Sequence, residues 1–454
     1  MRQTKILQPN LKAPYIDHDH AKELEVISRL ISDYPTILQF VCEDLNKSCK
    51  SDSVGRPGMS AEQVLKAALI KQISGLTYRK LSFHLMDSLT YASFTGYGPF
   101  GKVPIPATLQ ANISKITPET WEKINGIIIE IAGDKGIENG KTIRADSTTV
   151  KSNIHYPTDA SLLTDCVFTL NRIFQRIKSR ITGVVTVTDH TRRAKRRHLG
   201  IVNAKTPADR QARYKDLINV TRKTVHGAER AIENIEMFLK DDPQTLLYSF
   251  LQDCRDALKH FAALSKRVID QTVRRVVFDQ KVPSAEKIVS IFEEHTDIID
   301  KGKREVVFGH KIDLSTGKSG LILSCCVLEG NPADSSRTID IIEDLLNDKG
   351  LDVQQASFDG GYASKANLLK IKLLGITDVA FSKGRGIPVE EMVRSTWVYR
   401  KLRNFRAGIE AVISYLKRSF GMRMCNWHGW AGFKKYIGSL MVSYNFLLLA
   451  KSIS

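Results

Sequence analysis

The sequence predicts an α/β protein: a mixed-sheet core, an all-helical region before it and a large helical insertion within it. Three observations predict this. Residues 1–140 read as helices. At Lys141, and again from Lys303, the texture turns short, β-branched and alternating. Between these stretches helical spacing returns, with Leu251, Cys254, Leu258, Phe261 and Val268 on one apolar face. A chain of 454 residues suits two or three domains. The expected divisions are 1–140, then 141–160 together with 301–454, with 161–300 as the insertion.

The formal net charge is +18 and the isoelectric point about 9.5, which favours polyanionic partners. Nucleic acid and an anionic membrane surface are the candidates. The start, MRQTKILQPNLK, has no apolar centre and is not a secretion signal. No run approaches the ~18 apolar residues of a membrane span. The most apolar piece, 437–450, is broken by Ser439, Ser443 and Asn445 and reads as a buried C-terminal helix. The seven cysteines form no C-x-x-C pair, which suits a reducing cytoplasm and argues against a zinc cage.

In chain order, a helix is expected over 21–45, then a turn at Gly55-Arg56-Pro57-Gly58. Ser60 opens a capping box with Gln63. The helix it starts reaches Ile73, turns through Ser74-Gly75-Leu76-Thr77, and is followed by a second helix over 78–87. Residues 60–87 thus have a helix-turn-helix outline, shared by plain helical hairpins. Tyr78, Arg79 and Lys80 open the second helix, where DNA contacts would be presented. Thr117-Pro118 starts a third helix, whose stripe of Trp121, Ile124, Ile128 and Ile131 is core. KTIRADSTTVKS is a strand, and Asp146 inside it needs a reason, because its neighbours should be buried. His155 follows in a turn. Arg192, Arg193, Lys195, Arg196 and Arg197 place five cations in six positions. Such a run is a solvated loop or a phosphate contact.

From Lys303 a hairpin turns at 315–318, a helix covers 335–346 and a strand ends at Asp359. A helix over 364–374, a strand ITDVAF and a Gly384-Arg385-Gly386 loop lead to the last charged helix, 403–417. Gly317-Lys318-Ser319 lacks the upstream glycine of a phosphate loop, and Gly384-Arg385-Gly386 lacks the third glycine of a dinucleotide fingerprint. Glu293 and Asp297 read as surface charge, or as accessory acids. Trp427, His428 and Trp430 read as packing for the final helix.

On the 403–417 helix, Arg406, Glu410 and Lys417 fall within about 60° of one another. They form either an ion-pair face or a metal-binding carboxylate flanked by phosphate contacts. With 161–300 set aside, the order is strand, strand, strand, helix, strand, helix, strand, helix, which matches the RNase H-like fold. In that fold the first and fourth strands are parallel neighbours. Asp146 and Asp359 would meet despite a separation of 359 − 146 = 213 residues, and the last helix would deliver Glu410 another 410 − 359 = 51 residues on. Three converging carboxylates repel unless cations intervene. Mg²⁺, with Mn²⁺ as substitute, resolves this. Two such ions about 3.5–4 Å apart suit in-line phosphodiester displacement.

The chain resembles the DDE transposases of bacterial insertion sequences, and most closely the ISNCY type. The likeness is carried by ADSTTVKSNIHYPTDASLL, VPSAEKIVSIFEEHTDIIDKGK, VVFGHKIDL, SFDGGY and FRAGIEAVISYLKR. GMSAEQVLKAALIKQISGLTYRKLSFHL also resembles the family's helical DNA-binding region. The family signature of Arg, three residues, Glu, six residues, Lys falls at Arg406, Glu410 and Lys417. The signature's tyrosine position holds Arg403, a candidate phosphate contact on the same helix face. The resemblance implies Asp146, Asp359 and Glu410 as catalytic metal ligands. It also implies terminal inverted repeats and target DNA as partners, 3′-hydroxyl strand transfer as the reaction, and a homodimer or larger assembly on DNA. Two other classes remain open: a nuclease on the same fold that never joins ends, and a catalytically idle DNA-binding regulator.

Overall fold

The computed structural model describes Thr4, residues 17–47, 58–97 and 101–300, Gly302 and residues 306–453. The turn expected at 55–57 lies outside the described residues. Two compact units emerge, Met1–Asn153 with Gly309–Ser454, and Ile154–Phe308.

The first unit opens with α1 (Asp19–Asp33), α2 (Thr36–Asn46), α3 (Ala61–Ile73), α4 (Tyr78–Asp87), α5 (Leu89–Thr95), α6 (Pro106–Ile113) and α7 (Pro118–Asp134). The single helix expected over 21–45 is two, because Pro35 has no amide hydrogen to give and restricts Tyr34 before it. α3 starts on the expected capping box: the Gln63 amide donates to Ser60 Oγ and the Ser60 amide to Gln63 Oε1, both at 3.2 Å. Gly75 takes φ +61° in the turn to α4, a conformation open to glycine. These helices share their core with the far end of the chain. Trp121 and Ile124 lie in one apolar cluster with Val442, Phe446 and Leu449. The first 140 residues and the sheet therefore belong to one unit.

β1 (Thr142–Ser152) ends the N-terminal run. The second unit then follows with α8 (Asp159–Lys178), α9 (Thr191–Val202), α10 (Pro207–Asp241), α11 (Tyr248–Thr272) and the short β2 (Asp297–Asp300). Leu170, Phe174, Leu217, Ile235, Leu258 and Val268 are buried in its own core. The cation run at 192–197 is helical and not a loop. Its Arg and Lys are good helix formers, and Ala194 and Ile201 anchor one side of the helix in that core.

The first unit resumes with β3 (Val306–Thr316), β4 (Ile322–Val327), α12 (Asp334–Glu343), β5 (Gln355–Phe358), α13 (Lys365–Leu373), β6 (Asp378–Phe381), α14 (Val389–Met392), α15 (Thr396–Ser419), β7 (Met424–Cys425) and α16 (Gly429–Ile453). The sheet is mixed. In it β1 lies between β3, antiparallel, and β5, parallel, and β6 follows β5 in parallel. The Gly317-Lys318-Ser319 stretch is the β3–β4 turn, clasped by buried Glu138, whose Oε2 accepts from the Ser319 amide at 2.8 Å and hydroxyl at 2.6 Å. α16 is long and apolar enough to cross a membrane by length and composition, which corrects the expectation that no such stretch exists. Its most apolar stretch is 78% buried inside the fold. Its polar groups are satisfied there: Asn445 Nδ2 donates to the Ile322 carbonyl at 2.8 Å, and Ser443 Oγ to that of Ser439 at 2.7 Å.

Candidate active site

The register of the parallel pair builds the site. Ala145 on β1 pairs with Phe358 on β5. Asp146 and Asp359 are the next residues on each strand and so emerge side by side at the same end. β5 stops there because Asp359 caps a single tight turn, Gly360–Tyr362. α15 crosses the sheet with Leu402, Ile409, Val412 and Leu416 buried against it. Ser357 Oγ on β5 donates to the Leu402 carbonyl at 2.9 Å, which ties this helix to the strand. Helical spacing then turns Arg406 and Glu410 to one side of the buried stripe.

Arg406 joins the three acids. Its Nη2 donates to Asp146 Oδ2 at 2.9 Å and lies 3.7 Å from Asp359 Oδ1. Its Nη1 donates to Glu410 Oε1 at 2.8 Å. One guanidinium thus draws together residues from β1, the end of β5 and α15. The two aspartates differ electrostatically. Burial pushes the Asp146 carboxyl above the usual aspartate value, against the Ser147 amide and Arg406. Burial acts on Asp359 in the same sense, but the Ser382 hydroxyl, the Gly360 amide, Arg406 and Lys383 outweigh it and hold this carboxyl low. Ser382 Oγ donates to Asp359 Oδ1 at 2.6 Å.

The donors suit a hard divalent ion, which takes a few carboxylate oxygens and leaves positions for other oxygens. The cation already among them shows that the cluster accepts positive charge. Among the described residues no group of three His, Cys, Asp or Glu side chains stands ready to hold an ion. Each of these carboxylates is instead turned to Arg406.

The other expected residues are placed as follows. Arg403 is exposed on α15, and Lys417 is half-buried near its end. Arg79 and Lys80 are exposed at the start of α4, but Tyr78 is not presented outward. Its ring packs against the first core and lies 5.0 Å from Lys71 Nζ. Of the α9 cations, Arg192, Lys195 and Arg196 face solvent, while Arg193 and Arg197 pair with Asp216 of α10. His155 Nε2 lies 3.3 Å from Asp165 Oδ2. Glu293, expected at the surface, is buried, 2.8 Å from His295 Nε2; Asp297 is half-buried in β2. Trp430 packs on His310 at 4.6 Å between ring centres, and Trp427 lies 6.2 Å from Tyr436. His428 directly precedes α16 and is exposed.

Sequence reasoning missed Ser382, Arg144 and Gly408. Nothing in the sequence marks Ser382. Arg144 had the same signal as Asp146, a charge inside a buried strand. A glycine inside a long helix pointed to a close approach.

The family model described as Transposase DDE domain matches residues 263–446, and the Transposase domain (DUF772) matches residues 13–115. No curated protein and no solved structure matches the chain. Asp359 and Glu410 fall in the first span and residues 78–80 in the second; Asp146 lies outside both.

Proposed function

The chain belongs to the DDE transposases of insertion sequences, nucleic-acid-processing enzymes that bind DNA and generally use a divalent metal, and from this premise we propose that Asp146, Asp359 and Glu410 are the catalytic acids of an RNase H-like core. Mg²⁺ is the ion they hold, with Mn²⁺ as substitute. When bound, it supplies activation of the attacking oxygen and stabilisation of the leaving one. The reaction has two displacements. Water breaks the phosphodiester at each end of the element and frees a 3′ hydroxyl. That hydroxyl then attacks a phosphodiester of target DNA, whose own 3′ oxygen leaves. No covalent protein–DNA link is involved.

The chain's own residues bind and orient. Arg406, Lys417 and Arg403 meet backbone phosphates beside the acids. Arg79 and Lys80, with Arg192, Lys195 and Arg196, hold DNA farther along. Tyr78 supports Lys71 and stands behind the contact surface. The protein works in the cytoplasm on the inverted repeats of an ISNCY-type element, and two ends require at least a dimer.

The observation that carries this reading is one guanidinium reaching all three acids, at 2.9, 3.7 and 2.8 Å. The test is strand transfer of an end-bearing duplex with Mg²⁺. Asp359→Ala should abolish joining while end binding persists. Retained joining sinks the reading, and wild-type cutting without joining identifies a nuclease.

A further inference from the structure

We propose that Arg144 and Gly408 form a joint that sets the helix bearing Glu410 against the strand bearing Asp146, which makes Arg144 a positioning residue of the site. The inference rests on the reading of the three acids as catalytic. Arg144 precedes Asp146 by two residues on β1, so both side chains leave the same face of the strand. Arg144 is only 8% exposed. Its hydrogen bonds nevertheless go to neutral oxygens: Nε donates to Thr316 Oγ1 at 2.9 Å, and Nη1 to the Phe405 carbonyl at 2.8 Å.

A buried cation without a carboxylate in its hydrogen-bond set is a costly way to fill space. Methionine would fill it at lower cost. What the guanidinium adds is a rigid planar fork that reaches a neighbouring strand and a helix carbonyl at once. The helix side is shaped to receive it. The Phe405 ring lies 4.5 Å from the guanidinium carbon, and a Cβ added at Gly408 would fall on Arg144 Nη1. Glycine weakens a helix interior. Its place inside the 24-residue α15 is explained by this approach. Arg406 follows Phe405 directly, and Glu410 follows Gly408 by two residues. The joint therefore fixes the height and rotation of both above Asp146.

The test uses the full chain with G408A, R144M, the double variant and D359N. End binding is read by mobility shift, strand transfer in Mg²⁺ and in Mn²⁺, and Mn²⁺ affinity of the free protein by electron paramagnetic resonance. A displacement near 1 Å costs about a hundredfold in rate. G408A should lose about that much in Mg²⁺, bind ends as the wild type does, bind Mn²⁺ more weakly and regain part of its rate in Mn²⁺. In the double variant the methyl has room, so the two losses should not multiply. Multiplying losses, or a G408A rate and Mn²⁺ affinity equal to wild type, would overturn the joint. Alanine is the better helix former, so misfolding is not expected of G408A. If it misfolds, R144M carries the test alone by the same readouts. Strand transfer retained by D359N refutes the catalytic reading itself, whatever G408A does.

Discussion

Two regions concentrate charge, and they are built in opposite ways. At the sheet end, Asp146, Asp359 and Glu410 come from three elements separated by 213 and 51 residues, and they close on an Arg406 side chain that is 14% exposed. On α9 five cations follow one another within six positions, and Asp216 takes Arg193 and Arg197, whose side chains are 49% and 34% exposed. Topology collects the first set into a place where each charge is felt strongly, because water is partly excluded. Local helix spacing splits the second into a paired side and a solvated side, where each charge counts for little. Substitutions in the two regions should therefore differ in kind and in size.

The largest effect is expected at Asp146. Asp146→Asn should remove strand transfer by more than the roughly 10–100-fold that losing a hydrogen-bond partner of a metal ligand costs. It should also melt higher than the wild type at pH 7 with a chelator present. The sign follows from linkage. The folded-state value of Asp146 is raised by burial, so its stabilising contribution exists below its unfolded value and is lost as pH rises through the folded one. At neutral pH the charged carboxylate is a cost. Asp359 is lowered, so its contribution exists above the unfolded value and is lost as pH falls through the folded one. Asp359→Asn should give no such gain. Melting curves of the two variants decide it, and equal behaviour would remove the electrostatic distinction between the two aspartates.

The contrast also governs what could be read from the sequence. The pattern Arg406, Glu410, Lys417 is local, so helix arithmetic alone placed all three on one face. The meeting of Asp146 with Asp359 needed a strand order, and β1–β5 pairing supplies it through Ala145 and Phe358. What was not legible depends on three-dimensional neighbours. Pro35 splits a helix whose apolar spacing runs on. The 192–197 run looked like a loop because its anchors, Ala194 and Ile201, are sparse. Tyr78 opens its helix as a surface residue would, yet packs beneath Lys71. Glu293 is acidic in a polar stretch and is nevertheless buried.

Lys71 offers an intermediate case, a cation in a local helix pair that is nonetheless withdrawn from water. Burial pushes it down to about 8, and its Nζ lies 5.0 Å from the Tyr78 ring centre and 5.8 Å from that of Trp427. A lysine lowered on folding costs stability below its folded value, and the cost fades as pH rises toward its unfolded one. Lys71→Met should stabilise by roughly 1–3 kcal/mol at pH 6, with a smaller gain at pH 10, measured by urea unfolding. A gain independent of pH would mean that packing, not charge, is at stake.

The smallest effects are expected on α9. Each exposed cation that touches a phosphate contributes about 0.9 to the slope of log affinity against log salt. Replacing Arg192, Lys195 and Arg196 together by alanine should flatten that slope by about 2–3 for end DNA, with strand-transfer rate at saturating DNA unchanged. Arg193→Ala or Arg197→Ala should flatten it less, because Asp216 already holds these two. A double-mutant cycle between Arg193 and Asp216 should yield no more than about 1 kcal/mol of coupling in unfolding. Equal slope changes from all five cations would mean that DNA strips Arg193 and Arg197 from Asp216. The run would then act as one surface, and the split between a paired and a solvated side would vanish on binding.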